Sequence, residues 1–328
     1  MRAVICRDWG PPESLVCGEL PSPVPGPGEV RIRVHAAGVN FADSLLIARK
    51  YQERPPLPFS PGFEVGGEVI DCGEGVDHVG PGDRVCGFMR WGGYAEEAVA
   101  PSRSVYPIPD DMDFEAAAAF AVTYGTSHIG LDFRGGLKPG ETLLVHGAAG
   151  GVGLTAVEIG KAMGATVIAT AGGPDKLAVA RDHGADHLVD YRAEDIREAV
   201  NGITGGRGAD VVYDPVGGDV FDASLRCVAP EGRLLIIGFA AGRIQEIPAN
   251  RLLVKSVAAI GVYWNSYVER YPEMVRDSFR TLFGWYSEGR LRPHISARFP
   301  LEKAPDALAL LLQRRSTGKV ILTMDGGG

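Results

Sequence analysis

The run TLLVHGAAGGVGLTAVEIGKAMGATVIATAGG, residues 142–173, constrains the fold more than any other part of the chain. A β-branched, apolar stretch (Leu143, Leu144, Val145) gives way to a glycine-rich turn, and the turn to a helical pattern of apolar residues. That order describes a parallel strand feeding a tight loop and a helix N-terminus. Within the loop, Ala148-x-Gly150-x-x-Gly153 keeps the spacing of a dinucleotide-binding turn, with alanine in the first glycine position and an extra glycine at Gly151. Side chains there would hold the backbone away from a pyrophosphate, whose charge rests on the amides of the first helical turn. The spacing alone is a weak signal, but here a strand precedes it, a helix follows, and a second strand comes about 20 residues on.

That second strand, TVIATA, ends near Ala171 and is followed by Gly172 and Gly173. A site preferring NAD carries Asp or Glu at this place, bonded to the ribose hydroxyls. No acid is present. Two glycines leave room for a 2′-phosphate and Lys176 can add a positive charge, partly offset by Asp175. The pattern favours NADPH.

The chain has 328 residues, enough for two domains. From about Phe120, six strand-like runs (TLLVHG, TVIATA, DHLVDY, DVVYDPV, RLLIIGF, VAAIGVYW) alternate with helical ones, which predicts a doubly wound parallel sheet. Residues 1–120 are rich in Gly and Pro, with short alternating runs such as EVRIRVHAAGV and GGEVIDCGEGV, and read as a β-rich, barrel-like domain. Beyond Asn265 a helix-like stretch and a last strand, KVILTM, form a tail too small to fold alone. The expected division is therefore 1–120, 121–264, and a segment 265–328 that completes the first domain.

Composition narrows the function classes. The net charge of −8 argues against a nucleic-acid or membrane-surface binder. Five scattered cysteines without CxxC spacing read as reduced thiols of a cytoplasmic protein. No run is long and apolar enough for a signal peptide or a membrane span.

Three long segments resemble the medium-chain dehydrogenase/reductase superfamily, and within it the zinc-independent quinone oxidoreductase branch. They are PGPGEVRIRVHAAGVNFAD, PFSPGFEVGGEVIDCGEGVDHVGPGDRVCGF and LLVHGAAGGVGLTAVEIGKAMGA, and the likeness covers essentially the whole chain. The resemblance implies an α/β protein: a Rossmann-type doubly wound parallel sheet plus a GroES-like, β-rich, partly open barrel that carries catalysis. It also supports a homodimer joined edge to edge through VAAIGVYW, residues 257–264, an apolar last strand that would otherwise stay open. Zinc-dependent relatives place a cysteine where this chain has Asn40, a histidine where it has Phe63, and another cysteine near AVTYGT, where it has none. Phe63 cannot bind zinc and Asn40 is a poor substitute for a thiolate, so no metal is expected.

Carried over by position, Asn40 is expected beside the nicotinamide and its ribose, and Tyr51 at the substrate; these are the candidate catalytic residues. Thr123 is expected to touch the cofactor, and Gly238, Phe239 and Ala240 to flank the nicotinamide half of NADPH. Ala149, Gly150, Gly151, Val152 and Gly153 would hold the pyrophosphate, and Gly172, Lys176 and Tyr191 the adenosine phosphate. Glu64 and Asp43 are expected to make structural hydrogen bonds. Without a Lewis acid, the acceptors suited to hydride attack are already electrophilic: a quinone or a conjugated enone, with Tyr51 donating to the developing oxyanion. The alternatives are a 2-enoyl thioester or enone reductase, for which Arg90, Arg270 and Arg276 are candidate phosphate partners, and an NADPH-binding protein whose activity is vestigial.

Overall fold

Burial along the run at residues 29–39 explains how the first half of the chain curls. In the computed structural model, which describes residues 1–324, this run is one strand whose Val30, Ile32 and Val34 are buried while Arg31 and Arg33 are not. From Ala36 to Val39 every residue is buried. A one-sided strand thus becomes one covered on both faces. Register shifts at Arg31/Ile32 and Val34/Ala36 mark the bulges that bend it.

The chain divides into two units. Unit 1 comprises Met1–Val122, Val268–Phe279 and the chain from Pro293 onward; unit 2 comprises Thr123–Tyr267 and Arg280–Arg292. Unit 1 begins with the antiparallel pair β1 (Arg2–Ile5) and β2 (Val16–Glu19). The bent strand is β3 (Glu29–Val39), followed by helix α1 (Phe41–Ile47) and β4 (Glu64–Cys72). Then come β5 (Arg84–Phe88), β6 (Glu97–Pro101), β7 (Val105–Pro107) and α2 (Phe114–Ala118).

Unit 2 has six strands: β8 (Thr142–Val145), β9 (Thr166–Ala171), β10 (His187–Asp190), β11 (Ala209–Asp214), β12 (Val228–Ile236) and β13 (Ala258–Gly261). Its helices include α3 (Ala121–His128), whose last six residues belong to this unit, α4 (Gly151–Ala162), α5 (Pro174–Asp182), α6 (Ile196–Ile203) and α7 (Asp219–Cys227). The strands lie in the order β10-β9-β8-β11-β12-β13, all parallel. Leu143, Leu144, Val211, Val212, Leu234 and Leu235 are fully buried, as expected of strands covered on both faces. The order reverses between β8 and β11, and ligands bind beyond the strand ends at such a switch point.

Two late strands complete unit 1: β14 (Ile295–Pro300) and β15 (Lys319–Thr323). The sheet order is β14-β15-β3-β4-β5-β7. One edge of β3 pairs with β4, while the other meets β6 along Glu29–Arg33 and β15 along Ala36–Val39. This sharing of one strand between two neighbours makes the sheet barrel-like without closing it.

The doubly wound sheet and the β-rich unit are as the sequence implies. The tail is a correction: residues 265–328 do not join the first domain as a block. Tyr106 stacks on Phe279 with ring centroids 3.9 Å apart within unit 1, whereas the Arg292 amide donates to Glu158 Oε1 on α4 (3.0 Å) within unit 2. The last strand of unit 2 is also shorter than its apolar run, because Trp264 already begins a helix. Among the described residues, no helix is long and apolar enough to cross a membrane. All five cysteines are unpaired.

Candidate functional site

The strand ends of unit 2 gather most of the residues singled out from sequence. After β8 the chain turns through Ala148 and Ala149, both buried, to Gly150, the N-cap of α4. Gly150 makes no side-chain cap, so the first-turn amides of Gly151, Val152 and Gly153 have no partner within the helix and none from its cap. Gly153 is dictated by close approach: a Cβ there would lie 2.2 Å from the Gly147 carbonyl oxygen. The loop is braced from below, where Ser127 Oγ and Thr155 Oγ1 both donate to the Val152 carbonyl (3.0 and 3.1 Å). Ser127 also bonds Tyr213 (2.9 Å), and Thr155 bonds the carbonyl of Thr123 (3.1 Å), which places Thr123 beside the loop. An anion as large as a phosphate fits these amides and the helix dipole behind them.

The end of β9 carries a second glycine turn, with a hydroxyl and a guanidinium beside it. A Cβ on Gly172 would sit 2.6 Å from the Tyr191 hydroxyl and 2.8 Å from Arg192 Nε, so the turn passes directly beneath both side chains. Asp190 Oδ1 accepts from the amides of Gly173 (3.1 Å) and Arg192 (3.0 Å), tying the turn after β9 to the turn after β10. Lys176 lies in the first turn of α5, beyond Gly173. Arg192 was not singled out from sequence, although it directly follows Tyr191 in VDYR, where a cation next to the expected phosphate partner was the available signal.

Gly238, Phe239 and Ala240 follow β12. The loop bonds to the turn after β11: Ile237 N donates to Asp214 O (2.9 Å) and Ala240 N to Pro215 O (3.1 Å). Asp214 Oδ1 in turn accepts from the amides of Val216 and Gly217 (2.7 and 2.9 Å). Phe239 is 40% exposed and packs over Gly217. All three predicted segments of unit 2 therefore lie at the C-terminal ends of strands of one parallel sheet, β8, β9 and β12.

Unit 1 holds Asn40 and Tyr51. Asn40 is the N-cap of α1 and is 8% exposed. Its Oδ1 accepts from Lys319 Nζ (2.8 Å), and its Nδ2 donates to Glu64 Oε1 (2.9 Å). Its backbone amide donates to Asp43 Oδ2 (2.8 Å), which also accepts from the Tyr94 hydroxyl (2.8 Å), while Asp43 Oδ1 accepts from Gly62 N (3.1 Å). Burial pushes the Asp43 carboxyl up to about 7, against the lowering pull of the Asn40 amide, Tyr94 and Lys319. Tyr51 stands edge-on to Phe63, centroids 5.4 Å apart, and Phe63 precedes the Glu64 that bonds Asn40. Phe63 offers no donor atom to a metal. Among the described residues, no group of three or more His, Cys, Asp or Glu is arranged to hold one.

Comparison with known proteins finds two domain families along the chain. Residues 26–110 match the alcohol dehydrogenase GroES-like domain and residues 151–280 the zinc-binding dehydrogenase domain. A quinone oxidoreductase-like protein 2 homolog of Nematostella vectensis is 43% identical, over 98% of this chain and 88% of its own. The Escherichia coli quinone oxidoreductase, solved in complex with NADPH, superposes with a TM-score of 0.91 at 30% identity, over 98% of this chain and all of that one. The chain belongs to the zinc-independent quinone oxidoreductase branch of the medium-chain dehydrogenase/reductase superfamily. It is an oxidoreductase of that superfamily in fold and in domain content. The superfamily also reaches proteins named for other roles: the human synaptic vesicle membrane protein VAT-1 homolog is 32% identical, over 98% of this chain and 86% of its own.

Proposed function

We propose that this protein transfers hydride from NADPH to a quinone or conjugated enone without a metal, with unit 2 binding the nucleotide and unit 1 carrying catalysis. The observation that carries the cofactor reading is the turn at Gly172, where Tyr191 and Arg192 stand over a position that holds no acid. The NADPH complex of the E. coli relative supports the same reading. When bound, NADPH supplies the hydride. The amides of Gly151 to Gly153 hold its pyrophosphate; Lys176, Tyr191 and Arg192 hold the 2′-phosphate. Asn40 orients the nicotinamide end.

For the acceptor, Tyr51 and Phe63 offer an aromatic pair on which a flat, uncharged quinone can stack. As the acceptor takes the hydride, charge develops on its oxygen, and the Tyr51 hydroxyl donates a hydrogen bond to it; solvent supplies the proton that completes the hydroquinone. Tyr51→Phe is expected to lower kcat with a naphthoquinone by about 10- to 100-fold, the weak end for one replaceable donor. Unchanged turnover would reduce Tyr51 to a packing role.

The thioester reading requires cations for the phosphates of a coenzyme A substrate. Arg90 instead pairs with Glu269 and lies 3.8 Å from Glu53, and Arg276 lies 3.4 Å from Glu273, which weakens that reading. An NADPH-oxidation panel of quinones, enones and an enoyl thioester decides among the three readings: quinone turnover supports the first, thioester turnover alone the second, and no turnover with any acceptor the vestigial one.

The same proposal includes a homodimer. β13 is the end strand of the unit 2 sheet and is incompletely buried. The preceding helix, α8 (Ala249–Lys255), exposes Leu253 (79%) and Val254 (84%). Pairing two copies of β13 would cover an open apolar edge. Light scattering at micromolar concentration should give twice the chain mass, and Ile260→Lys should give a monomer; a monomeric wild type removes the dimer from the proposal.

A further inference from the structure

Lys319 opens β15 and is 4% exposed, an unusual place for a lysine. Its Nζ donates to Glu64 Oε1 (2.6 Å), Asn40 Oδ1 (2.8 Å) and the Val39 carbonyl (3.2 Å). Because Asn40 Nδ2 also donates to Glu64 Oε1, the three side chains close a ring of hydrogen bonds. Stability is a poor reason for this ring. Removing both charges from water costs much of what their attraction returns, and an apolar pair of equal volume often folds as well.

Orientation is a better reason. An ammonium only donates and an ionised carboxylate only accepts, so a carboxamide between them has one satisfactory setting, oxygen to Lys319 and nitrogen to Glu64. The flipped amide would set N–H against ammonium and oxygen against carboxylate. The other oxygen of Glu64 accepts from Val122 N (2.8 Å), the residue immediately before Thr123. The carboxylate that orients Asn40 thus also fixes the peptide leading to a second expected cofactor contact.

We propose that Lys319, together with Glu64, is a positioning residue that locks the Asn40 carboxamide in the setting needed at the nicotinamide end of the site. The inference rests on the NADPH reading above only for what Asn40 touches; the locking itself is a property of unit 1.

Lys319→Met alone strands a buried carboxylate and can fail to fold, so the decisive variant is Lys319→Met/Glu64→Gln, in which both charges are gone. Four readouts are taken on the full-length protein: thermal midpoint, NADPH affinity by fluorescence, kcat and KM with a naphthoquinone, and the side-chain amide NMR signal of Asn40, assigned by its loss in Asn40→Ala. The double variant should recover most of the thermal midpoint, yet keep a kcat lowered by up to about 100-fold with little change in the quinone KM. Adding it to Asn40→Ala should cost little beyond Asn40→Ala itself, since the residues act as one unit. The Asn40 amide signal, sharp in the wild type, should broaden in the double variant even without cofactor. If kcat returns with the midpoint, or the amide signal stays sharp, the positioning role is wrong. If the wild type binds no NADPH while its amide signal behaves as expected, the cofactor reading fails and the locking of Asn40 stands.

Discussion

Lys176→Ala/Arg192→Ala is expected to abolish the preference for NADPH, lowering kcat/KM for that cofactor while leaving the value for NADH nearly unchanged. A hydrogen bond to a charged group contributes about 1.5–3 kcal/mol, so two such contacts to the 2′-phosphate amount to roughly 10²- to 10⁴-fold. Arg192→Ala alone should cost more than Lys176→Ala alone, because a guanidinium meets phosphate oxygens through a paired, planar set of donors and an ammonium does not. The turn supports this ranking: Arg192 Nε lies against Gly172, and its backbone amide is pinned by Asp190. Steady-state kinetics of the single and double variants with both cofactors measure the effect. A wild type that uses NADH and NADPH equally would falsify the assignment.

The second large effect is expected at Gly153. The Cβ of Gly153→Ala would lie 2.2 Å from the Gly147 carbonyl oxygen and 2.7 Å from its carbon, both backbone atoms of the same loop. Relief requires the loop to move, and with it the amides of the first turn of α4. Overpacking of about 1–3 kcal/mol at this point corresponds to roughly 10- to 100-fold weaker binding of NADPH. Gly202→Ala is the matched control: it lies within α6, and a Cβ there meets nothing within 4 Å. It should bind NADPH as the wild type does and be at least as stable, since alanine favours a helix over glycine. Equal affinities for the two variants would remove Gly153 from the cradle.

Unit 2 was legible because its information is local. Each strand is a short β-branched run, each crossover has a helical pattern, and the loop at Ala148 to Gly153 sits between them in sequence as in space. Unit 1 was legible in kind and less so in detail. EVRIRVHAAGV coincides with β3, but nothing in its alternation says that one edge is shared by two neighbours from distant parts of the chain. The ring around Asn40 was hidden for the same reason. Lys319 is 279 residues away, in TGKVIL, where a lysine before an apolar run reads as an ordinary strand end. The brace beneath the glycine loop escaped because Ser127 and Thr155 resemble any small polar helix residue until the helices pack. The tail was misdivided because a helical pattern states that a helix forms and is silent about which neighbours its faces meet.

The position of β15 between β14 and β3 has a consequence for how the protein is born. The ribosome releases residues 1–122 first, and with them β3 and β4, but the Ala36–Val39 edge of β3 has no partner until the Lys319–Thr323 strand emerges. Every residue of unit 2 leaves the ribosome before that strand does. The nascent first half must therefore wait, one strand edge unpaired, through the synthesis of the entire second unit. When the late strand arrives, it pairs the waiting edge of β3 and brings the ammonium to Asn40 in the same event.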